Sequence, residues 1–492
     1  MLLEPGSNGH ASPVRVADTL VTTVLPRGAI VALEMEIVII GGGIAGMSAA
    51  LECSQRPGVR VTLVDAAGAL GGKLQTATLE TPLGSAVVDG AAESFVTRKP
   101  EALTLARELG LQDELLEPGS EMRGVSIVRS GRVLRVPTSP PGFLRPNALG
   151  LRGLGRMMLE PFVRSPTPKG DESLHSFLER RFGARAAAVY GPVMAGIYSG
   201  NPRQQSVEAS FGVLRDLERT HGSLVRGMLR QAKRAKPNAR TPRAIALRGG
   251  VRQLIAALEA RLKASGVTIR SNAPARRLEH TARGHRLWLE DGSQLRADAV
   301  ILAVPAPVAA RLLEGSAPRA SQALGKLRHT GIGTLALAYP RAALEGLERH
   351  RGVMIPRGEG SAVDAVLFTG FKMPERVYGD IGVLRVFFGA NLPEMLHRDP
   401  DALLETVRAE LRTLFGITAA PLAHALWRWD DFPLLEVGHL ERVERVEAAL
   451  PPGVHLAGAS YRGLGVPDCI RQGRAAARLA LAARPALEEV RA

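Results

Sequence analysis

The clearest pattern in the chain is a continuous apolar, β-branched run at Glu36–Ile40, as expected of a strand buried on both faces of a parallel sheet. It runs into Gly41-Gly42-Gly43-Ile44-Ala45-Gly46 and then a helical stretch, Met47–Gln55, stopped by Pro57-Gly58. A second apolar strand, Val59–Val64, closes on Asp65. Within about 30 residues this makes strand, glycine loop, helix, strand and acid. Two later segments share that character. An amphipathic helix, Gly249–Leu262, precedes a short strand at Val267–Ile269, a hairpin-like stretch at Leu287–Leu295 and the apolar strand Ala299–Val304. The last is a strand, Val454–Ala457, a glycine-rich loop and a helix over Asp468–Ala483.

This order predicts a mixed α/β protein whose discontinuous Rossmann-like dinucleotide domain is assembled from 35–97, 249–310 and 420–492. Residues 98–139 and 311–419, with short strands at Thr334–Tyr339 and Val383–Phe388 and one late helix, form an inserted second domain. Residues 140–248 are helical by pattern and rich in arginine. Residues 1–34 show no sustained period and read as an irregular extension, which makes Met35 a candidate native start.

Composition narrows the classes. Charged residues are 23% and hydrophobic residues 45% of 492, which excludes disorder and fibrous or mucin-like chains. Aromatics at 4% argue against a base-stacking surface. The longest clean apolar run, Ala299–Ala310, is 12 residues, short of the roughly 18 a membrane span needs. Two cysteines, Cys53 and Cys469, make neither a disulfide framework nor a zinc site, so a reducing compartment is expected. The net charge of +15 favours anionic partners. From Arg219 through Leu258 there are ten Lys or Arg and no Asp or Glu. No nucleic-acid-binding fold accompanies that charge, and nucleic acid is not predicted as a partner.

The glycine motif carries the first chemistry. Gly41 permits the tight turn, Gly43 lets backbone approach a pyrophosphate, and Gly46 allows close helix–strand packing, while the helix N-terminus faces the phosphates. Asp65 stands where a carboxylate accepts hydrogen bonds from ribose hydroxyls. Leu70-Gly71-Gly72-Lys73 follows directly, a turn that two-dinucleotide flavin enzymes place near the diphosphate; the two motifs together indicate FAD rather than NAD. The third motif is Gly458-Ala459-Ser460-Tyr461-Arg462-Gly463-Leu464-Gly465-Val466-Pro467-Asp468, whose glycines permit approach to a flat ligand and whose Asp468 reads as a helix N-cap.

Further segments carry a resemblance. Asp171–Leu174, Arg180–Gly183, Gly196-Ile197-Tyr198-Ser199-Gly200-Asn201-Pro202, Gly222–Leu224, Val437–Leu440 and the Gly458–Gly473 loop, in that order, resemble oxygen-dependent protoporphyrinogen oxidases and their coproporphyrinogen-oxidising relatives. The resemblance covers nearly everything from Met35 onward. It implies FAD held by Gly41, Gly42, Gly43, Ile44, Ala45 and Gly46, with Asp65 on the ribose and Gly72 and Lys73 at the diphosphate turn. Ala91, Ala92, Glu93 and Ser94 replace a Gly-Pro-x-Ser stretch beside the flavin. Ala275 falls where backbone meets adenine, Trp429 matches an aromatic near the cofactor, and Leu464, Gly465 and Val466 match contacts to the flavin ring. Leu434-Leu435 replaces a polar and aromatic pair in the pocket wall.

The implied reaction is a six-electron oxidation of protoporphyrinogen IX or coproporphyrinogen III in haem biosynthesis, with O2 as acceptor and H2O2 as product. The flavin takes the hydride, so no protein side chain is expected to be catalytic. Arg98 and Arg123, with Lys99 nearby, are the candidate propionate anchors. A cytoplasmic enzyme is implied, peripheral at the inner membrane face, with ferrochelatase or another haem-pathway enzyme as a partner. For the basic helical stretches, docking on anionic lipid and a solvated helix face both stay open. So do two other functions, an amine oxidase or carotenoid desaturase and a non-catalytic flavin- or porphyrinogen-binding protein. No nucleophile triad, metal cluster or catalytic carboxylate pair is predicted, and His439 reads as a packed, hydrogen-bonded histidine.

Overall fold

The computed structural model describes residues 22–24, 30–32, 35–117, 125–137, 148–163, 168–234, 244–347 and 350–482. Its first layer is a five-stranded parallel sheet made of β1 (Met35–Ile40), β2 (Val59–Val64), β3 (Thr268–Arg270), β4 (Ala299–Leu302) and β5 (Val454–Leu456), in the order β3-β2-β1-β4-β5. Successive residues of β1 serve two different cores, and this is why the run is apolar without alternation. Ile37 and Ile39 face α1 (Ile44–Ser54), α2 (Val251–Ala264) and α3 (Val466–Ala482). Val38 and Ile40 face a three-stranded meander, Ala275–Thr281, Gly284–Leu289 and Gln294–Ala297, with helices Ala306–Leu313 and Pro318–Leu324 behind it. The first and last helices pack on each other closely enough that a Cβ at Gly473 would run into the carbonyl of Ala45.

A second, seven-stranded sheet holds Arg132–Arg135, Val125–Arg129, Gly352–Met354, Val363–Leu367, Ile381–Phe388, His329–Pro340 and Ala423–Pro433 in that order. Leu403, Val407 and Leu411 of helix Pro400–Phe415 fill its core. The strand Ala423–Pro433 falls in a stretch expected to belong with the dinucleotide domain. Its ladder with His329–Pro340 places it in the seven-stranded sheet instead, because its backbone groups find their partners there.

Leu174–Phe182, Ala184–Gly196, Val207–His221 and Leu224–Arg234 form the helical part around Phe177, Leu178 and Leu217. It is also built on buried charge. Glu160 accepts hydrogen bonds from Arg181 Nε (2.9 Å), Ser223 Oγ (2.6 Å), Leu224 N (3.0 Å) and Val225 N (3.2 Å), so a carboxylate caps the last of these helices.

Two local expectations differ. Thr22–Val24 pairs antiparallel with Ile30–Ala32 inside the stretch read as irregular. The C-terminal helix starts at Val466, not behind Asp468, because Pro467 is compatible with a first turn. Asp468 therefore sits within that turn. Arg123, Gly142–Arg145 and part of the basic run, 235–243, lie outside the described residues.

Candidate flavin site

The three glycine segments meet at the C-terminal edge of the parallel sheet, the usual crevice for a ligand in such folds. Gly41 has φ +107°, and a Cβ there would stand 2.5 Å from the carbonyl oxygen of Ala303, so only glycine fits between β1 and β4. A Cβ on Gly43 would meet nothing within 4 Å. That open side faces forward from the first turn of α1, whose leading N–H groups have no partner within the helix. Gly71 N donates to Gly42 O at 2.8 Å, and Gly43 and Gly71 form a parallel bridge. The Leu70–Lys73 turn is thus laid directly beside the first loop. Asp65 Oδ2 accepts from Gly42 N at 2.5 Å and its Oδ1 from Ala67 N at 2.7 Å, fixing the carboxylate at the loop's edge. Ala273 N donates to Asp65 O (2.9 Å) and Asn272 N to Ala67 O (3.0 Å), which lays the Asn272–Ala275 stretch along the same turn.

The third loop closes over these. Gly458, at φ +125°, faces Ala45, and Ser460 Oγ accepts from Ala306 N at 3.2 Å. Gln472 stitches the loop from behind: its Oε1 accepts from Arg462 N (3.0 Å) and its Nε2 donates to Gly463 O (2.9 Å). Asp468 packs against Gly463 and Gly465 and takes Lys99 Nζ at 2.6 Å. That ion pair draws the 97–100 loop, with exposed Arg98, to the edge of the Leu464–Val466 segment. His439, buried, donates from Nε2 to Tyr461 O at 2.8 Å; burial lowers its pKa to about 4, so it is a neutral packing group.

Residues of the second sheet complete the site, and several were not foreseen. Lys73 Nζ meets Asp431 Oδ1 at 2.6 Å across the two sheets. On the same strand a Cβ on Gly90 would strike the ring of Trp427, while Trp429 pairs opposite Ile332. The Ala91–Ser94 turn hangs from Arg385, which is fully buried and donates to Gly90 O (2.9 Å), Ala91 O (2.8 Å) and Glu93 Oε2 (2.8 Å). Glu93 is also bonded to Lys372. Burial works to raise its pKa, but Lys372 and Arg385 overcome this and hold it at about 2. Its carboxylate is turned into the second sheet, while Ala92 packs against the apolar core that includes Ile44 and Ala45. Just upstream, Asp89 binds Arg376 Nη1 (2.7 Å), Thr76 Oγ1 (2.6 Å) and Val251 N (2.9 Å). A charge at Arg385 inside the apolar run Ile381–Phe388 was the available signal for a buried partner.

Three features of the structure suit a dinucleotide of the flavin kind: an open approach at Gly43, a second glycine turn laid alongside, and a third loop with glycine at 458, 463 and 465. They define a class, the FAD-binding oxidoreductases with a dinucleotide domain split along the chain. Residues 44–481 match the family described as flavin containing amine oxidoreductase, and the chain belongs to that family. It is a flavoprotein oxidoreductase with FAD as its cofactor. It is 28% identical to coproporphyrinogen III oxidase of Bacillus subtilis (strain 168), across 91% of this chain and 98% of that one. It is 30% identical to protoporphyrinogen oxidase of Homo sapiens, across 91% and 99%. A structure from Exiguobacterium sp. 255-15, solved under the provisional name of protoporphyrinogen oxidase, superposes with a TM-score of 0.77 at 26% identity, across 90% and 98%.

Proposed function

We propose that the protein oxidises a porphyrinogen, protoporphyrinogen IX or coproporphyrinogen III, to the porphyrin in haem biosynthesis, using O2 and releasing H2O2. The observation that carries this reading is the similarity over nine-tenths of the chain to relatives named for those two oxidations. Bound in the crevice, FAD supplies a two-electron acceptor for hydride, so three rounds make the macrocycle aromatic.

The protein's part is placement. The N–H groups of Gly43–Gly46, at the α1 N-terminus, would hold the diphosphate, and Asp65 would take the ribose. Backbone at Ala275 borders the adenine. Lys73, fixed by Asp431, keeps the diphosphate turn in place, and Arg385 holds Ala91–Ser94 against the flavin. Leu464, Gly465 and Val466 would border the ring at the start of α3, and the positive end of that helix would favour negative charge there.

The exposed apolar side chains Leu151, Met158, Leu159 and Phe162, with Met228 and Leu229 beside Arg226 and Arg230, form the face that seats the protein peripherally on anionic lipid. Among the described residues no helix is long and apolar enough to cross a membrane.

Purified protein given protoporphyrinogen IX or coproporphyrinogen III in air decides the reaction. Porphyrin fluorescence and stoichiometric peroxide are the expected result; bound flavin that neither porphyrinogen reduces overturns the proposal.

A further inference from the structure

We infer that Arg357 orients the substrate by binding one of its carboxylates in a cleft beside the third glycine loop. This deepens the porphyrinogen reading and rests on it. The cleft forms where three parts of the molecule meet. Tyr198 and Asn201 come from the helical part, Leu435 and Glu436 from the end of the Ala423–Pro433 strand, and Arg357 from the turn between strands Gly352–Met354 and Val363–Leu367.

The cleft is tied to the third glycine loop through His439, whose N donates to Glu436 O at 2.9 Å and whose Nε2 donates to Tyr461 O at 2.8 Å. The Tyr198 hydroxyl is engaged, donating to Ser210 O at 2.9 Å, so the residue contributes a ring wall rather than a free polar group.

The turn carrying Arg357 is held on every side. Asn391 Nδ2 donates to Ile355 O (3.0 Å) and Val363 O (2.8 Å), and Ile355 N donates to Asp364 O (2.9 Å). Glu410 accepts from Ser361 Oγ and Ala362 N, both at 2.8 Å, and Glu359 accepts from Ser130 N at 2.7 Å. The guanidinium itself is exposed and forms no ion pair among the described residues. Asp364, whose carboxyl feels the Arg357 charge, is buried and spends its oxygens on Ala390 N (2.8 Å) and Asn391 N (2.6 Å). A pre-positioned, unpaired guanidinium fits a carboxylate through two parallel hydrogen bonds. Glu436 lines the same cleft with the opposite charge, so a carboxylate-bearing edge is drawn to one side and repelled from the other, which selects orientation.

Holoenzymes carrying Arg357→Ala and Arg357→Lys test this. Steady-state kinetics with coproporphyrinogen III are paired with equilibrium binding of the product coproporphyrin III and of its tetramethyl ester. Losing a charge-assisted contact raises KM about tenfold or more in Arg357→Ala, with kcat and the flavin spectrum nearly unchanged. Arg357→Lys restores part of the loss. The ester, which lacks the anionic group, binds wild type and Arg357→Ala equally. An unchanged KM in Arg357→Ala, or equal loss of acid and ester binding, overturns the assignment. If wild type turns over no porphyrinogen, the functional reading fails, and the porphyrin-binding arm still decides whether Arg357 selects carboxylates.

Discussion

At the scale of single residues, the two outer glycines of the first loop and Gly43 have different jobs. Gly43→Ala adds a methyl into open space, so the apo fold keeps its Tm while FAD affinity falls about tenfold or more, read by flavin retention on gel filtration. Gly41→Ala has no such separation: φ +107° and the Ala303 carbonyl make it lose the fold and the colour together. Arg385→Met leaves the buried Glu93 with Lys372 alone and is expected to cost about 3–5 kcal/mol in chemical denaturation. Adding Glu93→Gln recovers part of it, because the uncompensated charge is then gone. The glycines and Asp65 were legible because their chemistry lies within one short stretch. Arg385 and Arg376 were not, since their partners Glu93 and Asp89 are nearly 300 positions away and no local pattern links them.

Elements show the same division. β1, β2 and β4 were readable as strands from their apolar runs, and α1 from the turn before it, since each is specified by contiguous residues. The membership of Ala423–Pro433 was not, because pairing with His329–Pro340 depends on residues about a hundred positions upstream. The meander strand Gly284–Leu289 supplies a prediction of its own. Burial, chiefly, lowers His285 to about 4, as it does His439, from an ordinary 6.5. The unfolded chain takes up these protons first, so stability is lost as pH falls from about 6.5 to about 4. Glu93, held at about 2, adds a second loss from about 4.5 downward, while Asp364, raised by burial to about 6, works the opposite way between about 6 and 3.8. Melting curves across this range should show Tm falling with acid, and His285→Phe should flatten the upper part of that slope; an unchanged slope refutes the assignment to His285.

For the whole molecule, apolar exposure is concentrated on one part of the helical insertion. Phe162 is 74% and Leu151 87% exposed, and the Arg226 guanidinium lies 5.9 Å from the Phe162 ring centroid. Sedimentation with vesicles containing phosphatidylglycerol should carry the protein down at low salt, and less so as salt screens the cations. Leu159→Ser with Phe162→Ser should abolish this while leaving turnover of detergent-dispersed substrate intact; equal binding to purely zwitterionic vesicles would argue against anionic recognition. The sequence alone indicated basic helices there, but not whether their apolar residues turn inward or outward, because that depends on the packing of the helices with one another.

The contact between α1 and α3 has a consequence for biosynthesis. The opening βαβ unit emerges from the ribosome more than four hundred residues before the helix that covers it, so the nascent chain carries a half-built nucleotide crevice through nearly all of translation. Stalled polypeptides ending before Val454 should stay colourless, because the flank of β4 that pairs with β5 has no partner until then.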